Sequence, residues 1–286
     1  LYRDSSKFDQ AAAQFEQARK LAQQAKDQSL ERESLVDAGS AYRELKQYGQ
    51  ALTAYQAAAK LADQANDTKQ KATILDNIGR LYAVQGQQDQ ALDSFNQVLA
   101  FAREAGNREA ESKALVHLGD LNRTEGQLDE ALKYYQDALA VGKALDNLAL
   151  QATALDNLAE TQKAQQKWAD ALQTYDEERL VVRRLNDHTA EANVLVSMAE
   201  LQETSGQCAH ALDAYEEALG IAQANKLRVV EGTTLAAIAR LHQSLGQVDQ
   251  VLEPGQKALA IARETNNTKL EGNILATLGR ANRDLG

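Results

Sequence analysis

The sequence predicts an all-α protein, an α-solenoid of stacked antiparallel helix hairpins. Composition is the first observation behind this: 286 residues include one Pro and few aromatics and are rich in Ala, Leu, Gln and Glu, strong helix formers with few forced breaks. Self-similarity is the second. "GQLDEALKYYQDALA" from Gly126 restates "GQQDQALDSFNQVLA" from Gly86, forty residues upstream. The third is period: Ala72, Leu75, Ile78, Leu81 and Tyr82 recur at three and four residues, and Ala91, Leu92, Phe95, Val98, Leu99 and Ala102 do the same, so each unit holds two helical faces.

The elements follow in order. A second-type helix over 7 to 26 opens the chain, in a partial repeat 1–27. Hairpins are expected at 28–67, 68–107, 108–147, 148–187, 188–227 and 228–267, and a first-type helix closes the chain in a partial repeat 268–286. Within a unit, 68 to 85 and 88 to 104 are the two helices. Gly86 lies between them, where a residue at positive φ ends one helix and turns the chain. Lys46 and Gln166 interrupt that glycine column. Breaks such as Asn66-Asp67 and Gly106-Asn107 close the units. One hairpin cannot bury both of its apolar faces, so units must stack in one dimension. Ala51, Ala91, Ala131, Ala171 and Ala211 allow close helix approach, and the column of Phe15, Tyr55, Phe95, Tyr135, Tyr175 and Tyr215 fills the space between hairpins. Pro254 and Gly255 depart from the pattern, predicting a bend inside a second helix and a gap where a ring is missing. Trp168 and Cys208 fall in an apolar column and are expected to pack.

These columns, read in "NIGRLYAVQGQQDQALDSF" from Asn77 to Phe95, resemble the tetratricopeptide repeat (TPR) family. The common repeat there has 34 residues. The spacing of forty is similar to a longer-helix subclass: bacterial phosphatase regulators, Pins-like adaptors and arrays attached to caspase-like (CHAT) proteases. The resemblance implies a right-handed superhelix with a concave groove lined by first helices. Variable residues at the groove columns are then the candidate peptide-binding set: Asn77, Arg80, Asp120, Arg123, Asn157 and Glu160, continued by Asn193, Glu200, Arg240, Asn273 and Arg280. Side-chain amides can bond an extended peptide's backbone, and Arg can grip a carboxylate with two bonds. Asp120, Glu160 and Glu200 between flanking arginines suggest a ligand with a basic middle and acidic flanks. The Lys and Asn carboxylate clamp of the chaperone-binding subset does not carry over, because Asp76, Arg80, Val116 and Asp120 occupy its places.

The formal net charge is −10, with interspersed signs, which disfavours nucleic acid. A mean hydropathy of −0.50 without a long apolar run disfavours a membrane span. The one cysteine excludes an internal disulfide and points to a reducing, cytoplasmic setting. His117, His188, His210 and His242 share no column and no metal-ligand spacing, and nucleophile elbows and phosphate loops are missing. No catalytic residue, metal or cofactor is expected, and His117 reads as a solvated histidine. The leading reading is therefore a non-catalytic scaffold binding a protein or extended peptide. Its alternative is a ligand-sensing regulatory segment of a larger enzyme, such as a caspase-like protease. Head-to-tail self-association is the third. Leu1-Tyr2 aligns with Leu81-Tyr82, and Gly286 with Gly246, so the sequence reads as part of a longer chain.

Overall fold

The structure, a computed structural model, describes residues 2–285, with side chains from residue 6 onward. It divides into two compact units, Leu1–Leu145 and Asp146–Gly286. The first holds α1 (Tyr2–Ala25), α2 (Gln28–Glu44), α3 (Tyr48–Gln64), α4 (Thr68–Val84), α5 (Gln88–Glu104), α6 (Arg108–Thr124) and α7 (Leu128–Ala144). The second holds α8 (Leu148–Ala164), α9 (Trp168–Arg184), α10 (His188–Thr204), α11 (Cys208–Ala224) and α12 (Arg228–Ser244). A 3₁₀ turn (Val248–Gln250), α13 (Leu252–Glu264) and α14 (Thr268–Leu285) complete it. No strand occurs among the described residues.

Helix ends obey a two-part rule. Gly86 at φ 71° ends α4, with its N–H on Ala83 O at 3.0 Å and the Gln87 N–H on Tyr82 O at 2.9 Å, a Schellman closure. Lys46 and Gln166 take the same left-handed conformation, at φ 60° and 59°, despite carrying a Cβ. Most first helices then begin with a side-chain cap: Asp67 accepts from Gln70 N and Asn107 from Ala110 N, which satisfies an orphan donor. Second helices begin at Gln or Lys without one.

Packing follows the columns. Ala51, Ala91, Ala131, Ala171 and Ala211 are wholly buried, as are Tyr55, Tyr135, Tyr175 and Tyr215. Each ring lies over its own hairpin's first helix: a Cβ on Gly79 would sit 2.8 Å from the Phe95 ring, and one on Gly119 2.5 Å from that of Tyr135. The ring also reaches the following hairpin, since Tyr55 shares a core with Leu35, Ile74 and Ile78. One core column escapes the sequence reading. Ser34, Ile74, Ala114, Ala154, Val194, Thr234 and Ile274 are all buried, beside the leucines at Leu75 and its equivalents.

Three expectations need correction. The opening helix starts at Tyr2 and runs unbroken to Ala25; Ser6 stands where a turn glycine would, and helical bonding continues through it instead of turning as it does at Lys46 and Gln166. Pro254 does not bend a helix interior. The first turn of that helix is replaced by the 3₁₀ segment, and α13 restarts at Leu252, putting Pro254 in a first turn, where its missing donor would be unpaired anyway. Nor does Gly255 leave a gap: Leu278 Cδ2 would lie 2.7 Å from a Cβ there, so its side chain occupies the place of the missing ring. Trp168 and Cys208 pack half-buried against the cores of the second unit.

Candidate functional site

First helices carry the candidate residues, and in each unit part of the set converges. In the second unit, Glu200 on α10, Arg240 on α12 and Asn273 and Arg280 on α14 line one cavity of about 390 Å³, with Thr233 and Thr277 among the remaining wall. Ala236, Ala237, Leu270 and Ile274 add an apolar wall, so the site is an apolar-lined cleft with two guanidinium groups at it. Arg240 donates to Glu203 at 2.5 and 3.0 Å and approaches the Tyr215 hydroxyl at 3.5 Å. Burial disfavours the charge of Arg240, and the bonds to Glu203 more than offset this, holding it protonated. Arg280 donates to Thr277 Oγ1 at 3.3 Å and to Gln243 at 3.4 Å, weak bonds that a carboxylate would replace with stronger, charge-assisted ones.

In the first unit, Arg80 and Asp120 line a smaller cavity of about 250 Å³ with Phe95 and His117. His117 is not the solvated residue expected. It stacks on Phe95 with ring centroids 4.8 Å apart, and its Nε2 lies 3.3 Å from Asp76. Asn77, half-buried, and exposed Arg80 share α4. Arg123 lies 3.8 Å from Asp120 and donates to the Tyr135 hydroxyl at 3.4 Å.

The acidic candidates have structural duties that the sequence did not reveal. The Tyr135 hydroxyl donates to Asp120 at 2.7 Å, and the Tyr175 hydroxyl donates to Glu160. Burial first, and then these carboxylates, raise both phenols well above the ordinary tyrosine range, so the hydroxyls are fixed as donors. Lys163 also holds Glu160, at 3.0 Å. Asn157 donates to Thr153 O at 3.1 Å, and Asn193 is exposed.

A further residue went unread in the sequence. Glu178 on α9 is 5% exposed, with Oε2 buried and without a hydrogen-bond partner. Burial, then Asp156 and Glu160, push its carboxyl up to about 8, so it is protonated at neutral pH. The signal was present: its column otherwise reads Ala18, Ala58, Val98, Ala138, Ala218 and Ala258, half-buried at Ala18 and buried at the rest. Among the described residues no three side chains are grouped to hold a metal ion, and no helix is long and apolar enough to cross a membrane.

Solved structures share the fold at low identity. A Signal Transduction ATPase with Numerous Domains carrying a tetratricopeptide repeat sensor, from Pyrococcus horikoshii, superposes with a TM-score of 0.72 at 19% identity; the match covers 91% of this chain and 42% of that one. BtubC from P. vanneervenii gives 0.66 at 18% identity, covering 79% of this chain and 92% of the other. The Rap conjugation gene regulator of plasmid pLS20, in complex with the Phr* peptide, gives 0.56 at 16%, covering 92% and 76%. No curated protein matches the chain by sequence. A family model described as anaphase-promoting complex subunit 5 matches residues 1–32 and 232–278. The model described as tetratricopeptide repeat matches residues 30–104, 70–144, 110–179 and 150–224, most of the chain and in the register of its own columns. The chain belongs to the tetratricopeptide repeat family.

Proposed function

We propose that the chain is a non-catalytic binding array whose first-helix face takes an extended peptide or a peptide segment of a partner protein. The observation that carries this reading is the cavity of the second unit, where Glu200, Arg240, Asn273 and Arg280 from three successive first helices meet. Two guanidinium groups suit a carboxylate of the ligand, and the Asn273 amide offers donor and acceptor together to its backbone. A fold relative solved with a peptide, the pLS20 regulator, supports the class of ligand. A second reading has one observation of its own: the chain covers less than half of an ATPase described as having a tetratricopeptide repeat sensor, so the array would sense its ligand on behalf of a larger enzyme.

The test is to pan a displayed random-peptide library on the immobilised chain and measure the enriched peptides against Arg280→Glu. Carboxylate-bearing peptides that lose at least tenfold in affinity support the reading. Failure to enrich any sequence, or equal binding to the variant, overturns it.

A further inference from the structure

Glu178 is a buried carboxyl in a column whose six equivalent positions hold Ala or Val. Buried polar groups are almost always hydrogen-bonded, and an exception calls for a reason. Here one oxygen has no partner, and the two charges it senses, Asp156 and Glu160 on α8, are both of its own sign. From α10, Ser197 brings a neutral hydroxyl to neighbouring Tyr175. Lys163, on the same helix as Asp156, is paired with Glu160.

The equivalent position two repeats earlier, Val98, lines a cavity. In the first unit a cavity of about 290 Å³ opens between α4 and α6, with Thr73 and Asp76 on one wall, Lys113 on the other and Val98 below. Two repeats further on, the gapless register puts Thr153, Asp156 and Asn193 in the wall positions and Glu178 in that of Val98. An apolar floor has become acidic, and a lysine wall has become an amide.

We propose that Glu178, with Asp156 and Glu160 beside it, is the subsite for one cationic side chain, Lys or Arg, of a peptide lying along the first-helix face of the second unit. The proposal rests on the peptide-binding reading and deepens it by assigning the ligand's charge at one position. A cation entering between the three groups completes the hydrogen bonding of Glu178 and favours its ionised form. Binding therefore expels the proton that the free carboxyl carries at neutral pH. A metal ion is a poorer fit, since these groups do not assemble a ligand set.

The test uses the whole chain carrying ¹³C-labelled glutamate, with n-propylguanidinium, n-butylammonium and neutral n-butanol as probes. Glu178→Gln identifies the Glu178 carboxyl resonance, and Glu178→Ala, which restores the residue of five equivalent positions, serves as the folded control. The expected result is a saturable shift of the Glu178 carboxyl with both cations and none with n-butanol. Its titration midpoint, near 8 without probe, moves acidwards by at least one unit at saturation. Asp156→Asn weakens the cation response at least threefold. The proposal is overturned if the Glu178 signal does not saturate, if n-butanol shifts it equally, or if the midpoint stays in place. The two readings fail separately. A saturable cation response in a chain that enriches no peptide keeps the subsite and removes the groove, whereas peptides that bind Glu178→Ala as well as the native chain keep the groove and remove the subsite.

Discussion

The two units solve the same contact differently. In the first, the residue beneath each ring is Gly39, Gly79 or Gly119, and an added Cβ would fall 2.5 to 2.8 Å from the ring. In the second, Ala159 and Ala199 take that place, and both they and the rings of Tyr175 and Tyr215 are still wholly buried. The third pair is Ala239 with Gly255, where Leu278 supplies the bulk. The second unit thus accommodates a methyl group beneath each tyrosine ring that the first unit lacks, without loss of burial. What is constant along the chain is the burial of the contact between a first helix and the residue over it, and the identity of the residues that make it varies.

The largest effect expected from breaking this contact is Tyr135→Ala, which removes a ring that nothing else replaces and should cost about 3–5 kcal/mol. Because repeat arrays can lose cooperativity, the loss should be read by hydrogen exchange over α6 and α7, with the protection of α12 to α14 as the reference. Equal loss in both regions would show that the units unfold together.

The pH dependence of the second unit comes next. Glu178 keeps its proton to about pH 8 when folded, against 4.5 for an ordinary glutamate. The folded unit therefore binds more protons than the unfolded chain across that interval. Stability from this group is fully present below pH 4.5 and is lost as pH rises towards 8. At about 1.4 kcal/mol per unit of displacement, the change amounts to a few kcal/mol, and Glu178→Gln should flatten it in urea melts followed from pH 5 to 8. An unchanged slope would remove Glu178 as its source.

Glycine exchanges sharpen the comparison at smaller scale. Gly119→Ala drives a methyl into the Tyr135 ring and should cost about 1–3 kcal/mol, reduced by the roughly 0.5–1 kcal/mol that Ala gains over Gly in a helix. Ala159→Gly forfeits that helical term and, because its methyl is wholly buried, about a further 1 kcal/mol. If Gly119→Ala stabilises the first unit, the rings there are free to shift, and the contrast between the units is not one of packing.

Much of this was legible in advance because the architecture repeats letters as well as roles. The glycine turns, the Ala-Leu pairs and the aromatic column each keep one kind of residue, so hairpin positions could be read from spacing. The column containing Ile74 keeps only its burial: Ser34, Ala114, Val194 and Thr234 share it, and no single letter betrays a position that accepts both hydroxyls and branched chains. Pairings between hairpins were equally silent. Arg240 with Glu203 and Arg228 with Glu264 join residues 37 and 36 apart in sequence, a proximity created by stacking. The binding candidates were found by column, yet the tie of Asp120 and Glu160 to tyrosine hydroxyls lies fifteen residues away on the opposing helix. Glu178 was visible as a misfit in its column, and its meaning depended on which charges surround it.

The turns carry a consequence for how such a chain changes over time. At turn after turn, whether the left-handed residue is Gly86, Lys46 or Asn186, the same pair of backbone bonds closes the helix. Recombination between two such joints forty residues apart removes or duplicates a whole hairpin and rejoins ends of like geometry. The array is in that sense written in a currency of whole units, open to lengthening and shortening by exchange, while each copy drifts separately into its own surface chemistry.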